Sequence, residues 1–123
     1  LKVVTHDSPF TSQVPEGKIL RVPIAHGDGN YFCDAEMLQV LEANDQILFK
    51  YVDEEGDATD HANPNGSLAN IAGICNEARN VAGMMPHPER VFRRVQNSWY
   101  PDDWHGDDSG WMRMFQNARR WLD

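Results

Sequence analysis

Cysteine is nearly missing: Cys33 and Cys75 are the two that 123 residues carry, too few for a disulfide framework. With no secretory signal either, a reducing cytoplasm is the expected compartment. No apolar run approaches the roughly 18 residues of a membrane-spanning helix. Leu1-Lys2-Val3-Val4 leads into His6-Asp7 rather than into a signal-peptide core. No membrane partner is therefore expected. Basic side chains are scarce, 11 against 19 acidic ones, and the formal net charge of -8 makes a field that repels nucleic acid. Repeats and low-complexity tracts are absent too. The length suits one domain over residues 1–123 with a single core of modest buried fraction. The chain opens without an initiator methionine, which fits a start inside a strand of something longer as well as a processed terminus.

What is present is a succession of short apolar segments punctuated by glycine and proline, the pattern of a strand-rich α/β domain. Ile19–Ala25, bounded by Pro15-Glu16-Gly17 and His26-Gly27-Asp28-Gly29, reads as a strand feeding a tight turn. Asp34 is placed to cap a short helix with Met37, Leu38 and Leu41 on one face, ending near Asn44-Asp45. Gln46–Val52 reads as the next strand, and residues 53–66, rich in Asp, Gly, Asn and Pro, as a surface loop. Two apolar runs, Ile71–Glu77 and Asn80–Met85, flank Ala78-Arg79 as a hairpin with both strands buried. Trp111, Met114, Phe115, Ala118 and Trp121-Leu122 recur at helical spacing. They predict an amphipathic closing helix capped by Asp108 or Ser109, with Arg113, Arg119 and Arg120 on its wet face.

The chemistry concentrates in Met84-Met85-Pro86-His87-Pro88-Glu89-Arg90. Each proline biases its predecessor away from the helical region. The expected centre is extended, with residues 87 and 89 on one side. A glutamate holding one ring nitrogen fixes the imidazole's tautomer and leaves the other nitrogen to activate a nucleophile. Taken alone, His-Pro-Glu equally fits a turn in which Pro88 opens a helix, Glu89 complements its dipole and His87 is an ordinary surface residue.

Four ordered segments decide between these: Pro23–Tyr31, Asn63–Ser67, Ile71–Ile74 and Gly83–Arg90. Together they closely resemble the glutaminase part of the phosphoribosylformylglycinamidine synthase family, over about residues 8 to 91. The tail, Asn97-Ser98-Trp99 and Trp111–Arg119, is similar to the end of the family's single-chain form. The resemblance implies the C-terminal part of a three-layer class I glutamine amidotransferase domain, α/β with a mixed sheet. It implies glutamine as substrate, His87 as general base and acid, Glu89 as its partner, and backbone groups at His26, Gly27 and Asp28 near the substrate's α-carboxylate. It also implies a synthetase subunit or domain that receives ammonia and uses ATP and Mg; this chain itself is expected to hold no cofactor or metal. The family's Gly-x-Cys-x-Gly elbow has no counterpart among these residues. A missing N-terminal half would have to supply the thiolate, and the isolated chain is expected to be inactive, with exposed sheet edges that favour self-association.

Other features carry less. Cys75 in Gly73-Ile74-Cys75-Asn76-Glu77 has a small residue on one side of an elbow only, and reads better as a small buried hydrophobe; Cys33 has less support still. Asp102–Asp108 with His105 lacks the ligand order of a calcium loop and a second histidine for zinc, so a solvated loop is expected. Asn65-Gly66-Ser67 reads as a turn rather than as a glycosylation site. Trp99, Tyr100 and Trp104 either pack on the chain's own core or dock a partner. The competing functional class is accordingly a non-catalytic amidotransferase-like module that binds a synthetase.

Overall fold

The computed structural model describes residues 1–123. Its centre is β2 (Ile47–Lys50), whose Ile47, Leu48 and Phe49 are all buried. An apolar β-branched and aromatic run with no polar alternation is suited to burial on both faces. On one side β2 pairs with β1 (Lys2–Val3), on the other with β3 (Ile71–Cys75), which turns back into β4 (Ala82–Met84). The order is β1-β2-β3-β4. The α/β class stands, while within it every pairing is antiparallel rather than mixed. Each strand lies beside its chain neighbour, and no parallel crossover occurs among these four.

Helix α1 (Ala35–Ala43) forms where expected, with Asp34 Oδ1 accepting the Met37 N–H at 2.8 Å. Its Leu41 packs with Ile47 and Ile71, whereas Met37 is 47% exposed. The helix stops at Asn44 and Asp45, the latter at φ 51°. Arg79, at the hairpin tip, donates to the carbonyl oxygens of Asp45 (2.7 Å) and Asn44 (2.9 Å). A guanidinium thus satisfies carbonyls that a helix end leaves unpaired.

Further expectations are corrected. Ile19–Ala25 is not a strand. One bridge joins Ile19 to Lys2, and Leu20 exchanges hydrogen bonds with Leu1, its N–H donating at 2.8 Å and its carbonyl accepting at 2.7 Å. Beyond that Pro23 offers no N–H, and Ile24 is 49% exposed. β4 is an exposed edge at Ala82 and Gly83 rather than a buried strand. The closing helix, α2 (Met112–Trp121), has no side-chain cap; Ser109 instead accepts the Trp111 N–H one turn earlier. Trp111 just ahead of the helix, and Met114 and Asn117 on it, face inward, leaving Trp121 and Leu122 in solvent with the three arginines.

Asn70 joins β3 to the end of β2. Its side-chain amide donates to the Tyr51 carbonyl at 3.1 Å and the Thr59 carbonyl at 2.8 Å, from a backbone at φ 58°. Asparagine tolerates that left-handed conformation better than alanine does. Asn70→Ala is therefore expected to cost about 1–3 kcal/mol, from two carbonyls left short of a donor, read as a lowered urea midpoint. Asn70→Gly should recover only the backbone part.

Candidate active site

The Met85 N–H donates to the Ala72 carbonyl at 3.1 Å, carrying the hairpin ladder one residue past β4. Pro86, fully buried and without an N–H, ends it. His87 is extended (φ -107°, ψ 90°), as the following proline requires. The chain then departs from the expected alternation. Pro88 opens a 3-10 turn, Pro88–Arg90, in which Arg90 donates to the His87 carbonyl. Proline's fixed φ suits the first position of such a turn. Glu89 is thereby folded back, and its Oε1 lies 2.6 Å from His87 Nδ1. The base and its orienter meet through a turn rather than through a straight strand. The two side chains are 42% and 55% exposed, and His87 Nε2 remains free for a further partner.

The Glu89 carboxyl titrates below its ordinary 4.5, first because its own backbone N–H donates to it and second because His87 does. A depressed carboxyl favours the folded arrangement above 4.5, and that contribution disappears as pH falls through the lowered value. Following the Glu89 carboxyl carbon by NMR should give a midpoint under 4.5. His87→Ala should move it part of the way back up; a midpoint unchanged by that substitution would remove His87 as a cause.

The second predicted cluster, residues 26–28, is followed directly by Gly29, which packs on the Met85 side chain two residues before His87. Gly29, at φ +97°, abuts the Met85 side chain so closely that a Cβ there would come 2.9 Å from Met85 Cε and collide with Sδ. The positive φ is what favours glycine here; the methionine's flexible end could move aside for a Cβ. Gly27 and Asp28 form an exposed bend, and nothing lies within 4 Å of where a Gly27 Cβ would be. The backbone N–H groups of residues 26–28 donate to no atom of the chain. His26 alone between Pro23 and Asn30 is half-buried; its Nδ1 lies 3.3 Å from Asn65 Nδ2, and its ring meets Tyr51 edge-on at 6.2 Å.

Residues 63–70 are more than the turn their composition suggested. Ser67 Oγ accepts the Tyr31 N–H at 3.1 Å and donates to the Ile71 carbonyl at 2.5 Å. Asn63 Oδ1 accepts the Ser67 N–H at 3.1 Å, while its Nδ2 donates to the Ser67 carbonyl at 2.7 Å. This loop therefore fastens the 26–31 segment to the sheet. The available signal was asparagine at 63, 65 and 70 around Ser67, side chains able to bond in both directions.

Cys75 is 4% exposed in the main core, at the end of a continuous strand, and burial pushes its thiol up against a smaller opposing pull from Arg79. That is the inert buried cysteine expected, without an elbow. Cys33 is half-buried and unpaired. In the acidic loop Asp108 pairs with Arg93 at 2.8 Å, and Arg94 donates to the Trp104 carbonyl at 3.0 Å.

The model of the CobB/CobQ-like glutamine amidotransferase domain matches residues 1–122. The chain belongs to this family. Among relatives within the glutamine amidotransferases, the phosphoribosylformylglycinamidine synthase subunit PurQ of Thermomicrobium roseum is 59% identical over 87 residues, 71% of this chain and 37% of that protein. PurQ of Methanosarcina acetivorans is 51% identical over 98 residues, 80% and 42% of the two chains. PurQ of Moorella thermoacetica is 58% identical over 95 residues, 77% and 40%. A solved structure described as PurLQS from Thermotoga maritima superposes with a TM-score of 0.66 at 32% identity, covering 99% of this chain and 45% of that one. The chain spans about two-fifths of the length of the curated relatives it matches. No helix is long and apolar enough to cross a membrane.

Proposed function

We propose that this chain supplies the proton-transfer residues of the glutaminase component of phosphoribosylformylglycinamidine synthase. A cysteine thiolate from outside these 123 residues attacks the side-chain amide carbon of glutamine. His87, having taken the thiol proton to make that thiolate, gives it to the departing nitrogen so that ammonia leaves and a glutamyl thioester remains. His87 next deprotonates water, which cleaves the thioester to glutamate, and hands that proton to the departing sulfur to regenerate the thiol. Glu89 holds the ring and stabilises its cation. Ammonia passes to a synthetase that uses ATP and Mg to make the amidine.

The observation that carries this reading is the 2.6 Å contact between His87 Nδ1 and Glu89 beside a bend whose three amides at residues 26–28 donate to nothing in the chain. Consecutive unpaired N–H groups make a concavity suited to a carboxylate. In this reading they hold the α-carboxylate of glutamine, next to Met85 and the histidine that follows it.

The test is a chimera in which this chain replaces the matching part of the Thermomicrobium roseum PurQ. It should release glutamate from glutamine; a folded chimera with its cysteine intact and no glutamate release would overturn the reading. A non-catalytic docking module is favoured by one feature: Trp99, 66% exposed with the Arg21 guanidinium 5.7 Å from its ring centroid, lines a cavity of about 1060 Å³. That alternative predicts synthetase binding by a silent chimera.

A further inference from the structure

Tyr51 Oη and His26 Nε2 are buried polar atoms with no hydrogen-bond partner, in rings that meet edge-on at 6.2 Å. Asn65 stands at the same place, its Nδ2 lying 3.3 Å from His26 Nδ1. The three come from separate segments: the bend, the end of β2 and the asparagine-rich loop. A buried donor or acceptor without a partner is costly, so each such atom calls for a physical account.

The orientation of the Asn65 amide follows from its other half. Oδ1 shares the Ser67 N–H, at 3.2 Å, with Asn63 Oδ1 at 3.1 Å; an amide nitrogen in its place would set donor against donor, so Nδ2, a pure donor, is the atom turned to the imidazole. A donor there needs a lone pair on Nδ1, which places the ring proton on Nε2. An imidazolium would set N–H against NH2 and break the contact. His26 is the single half-buried residue of the exposed 23–30 segment, so the ring is the anchor of the bend that Gly29 presses onto Met85.

We propose that Asn65 is a positioning residue: it holds His26 as the neutral Nε2–H tautomer and so fixes the 26–29 bend beside Met85 and His87. This rests on the reading of residues 26–28 as the carboxylate-binding segment for its kinetic consequence, and on geometry alone for the tautomer. The side chain touches neither substrate nor the reacting atoms. Its effect is on how well the substrate is held, not on the proton transfers themselves.

Two measurements test this. In the chain itself, ring 15N shifts at pH 7.5 should show His26 protonated at Nε2 and bare at Nδ1. Asn65→Asp keeps the acceptor for Ser67 but turns a carboxylate oxygen to the ring, and should convert His26 to the Nδ1–H form or the cation. A wild-type His26 already protonated at Nδ1, or one unmoved by the substitution, overturns the proposal. In the chimera, Asn65→Asp should raise the KM for glutamine about tenfold with kcat within twofold and an unchanged thermal midpoint. A fall in kcat with KM intact, or no change at all, overturns it as well. A chimera inactive before any substitution refutes the glutaminase reading instead, and the 15N shifts still decide the tautomer.

Discussion

His87→Ala in the active chimera is expected to lower glutamate release by about three orders of magnitude. Every proton transfer of the cycle passes through that ring, so both thioester formation and its hydrolysis slow together. The loss should fall on kcat, since the carboxylate-binding bend is built from other residues. The side chain is 42% exposed, so thermal stability should stay within about 0.5 kcal/mol of the parent, separating lost chemistry from lost fold. Glu89→Ala should be milder by roughly tenfold or more, because an orienter acts through the base it holds. Glutamate release unaffected by His87→Ala would remove the histidine from the mechanism and leave the family's chemistry to some other group.

The elements legible in the sequence are those whose causes are local. Asp34 caps α1 with its own side chain, β2 is an apolar run of sufficient length, and Ala78-Arg79 turns one strand onto the next; none needs a distant partner. The failures are non-local. Ile19–Ala25 has strand composition but meets a neighbouring strand only at Ile19 and Leu20, since β propensity reports fit to a pleated neighbour more than a backbone preference. On α2 the spacing nominated Trp121 and Leu122, yet Asn117 is buried at 3%, its Nδ2 donating to the Phe10 carbonyl at 3.4 Å.

The site divides the same way. His87 and Glu89 are two residues apart, so their meeting was foreseeable even though a 3-10 turn, not an extended chain, produces it. His26 and Asn65 are 39 positions apart, and Tyr31 and Ser67 are 36 apart. Composition marked that loop as polar and turning. Which polar atoms it would offer to the 26–31 segment was fixed only by the β2–β3 register that brings it there.

That register also sets the largest expected loss of stability. Phe49 is 1% exposed, pairs with Val3 of β1 and Gly73 of β3, and its ring lies 5.7 Å from that of Trp111, just ahead of α2. Phe49→Ala should cost about 3–5 kcal/mol through lost burial and a residual cavity, a large share of the 5–15 kcal/mol typical of native proteins. With a urea slope of about 2 kcal/mol/M the midpoint should drop by roughly 2 M. Gly73 supplies a sharper check, because a Cβ there would sit 3.0 Å from both Phe49 Cδ2 and Met84 Cβ. Gly73→Ala alone should destabilise by about 1–3 kcal/mol through overpacking. With Phe49→Ala present, the ring no longer opposes the new methyl, so the pair should lose less than the two changes separately, by about 0.5 kcal/mol or more. Met84 still resists the methyl, which keeps the rescue partial. Strict additivity of the two substitutions would mean that Phe49 and Gly73 do not touch, and with it that the β2–β3 register is wrong.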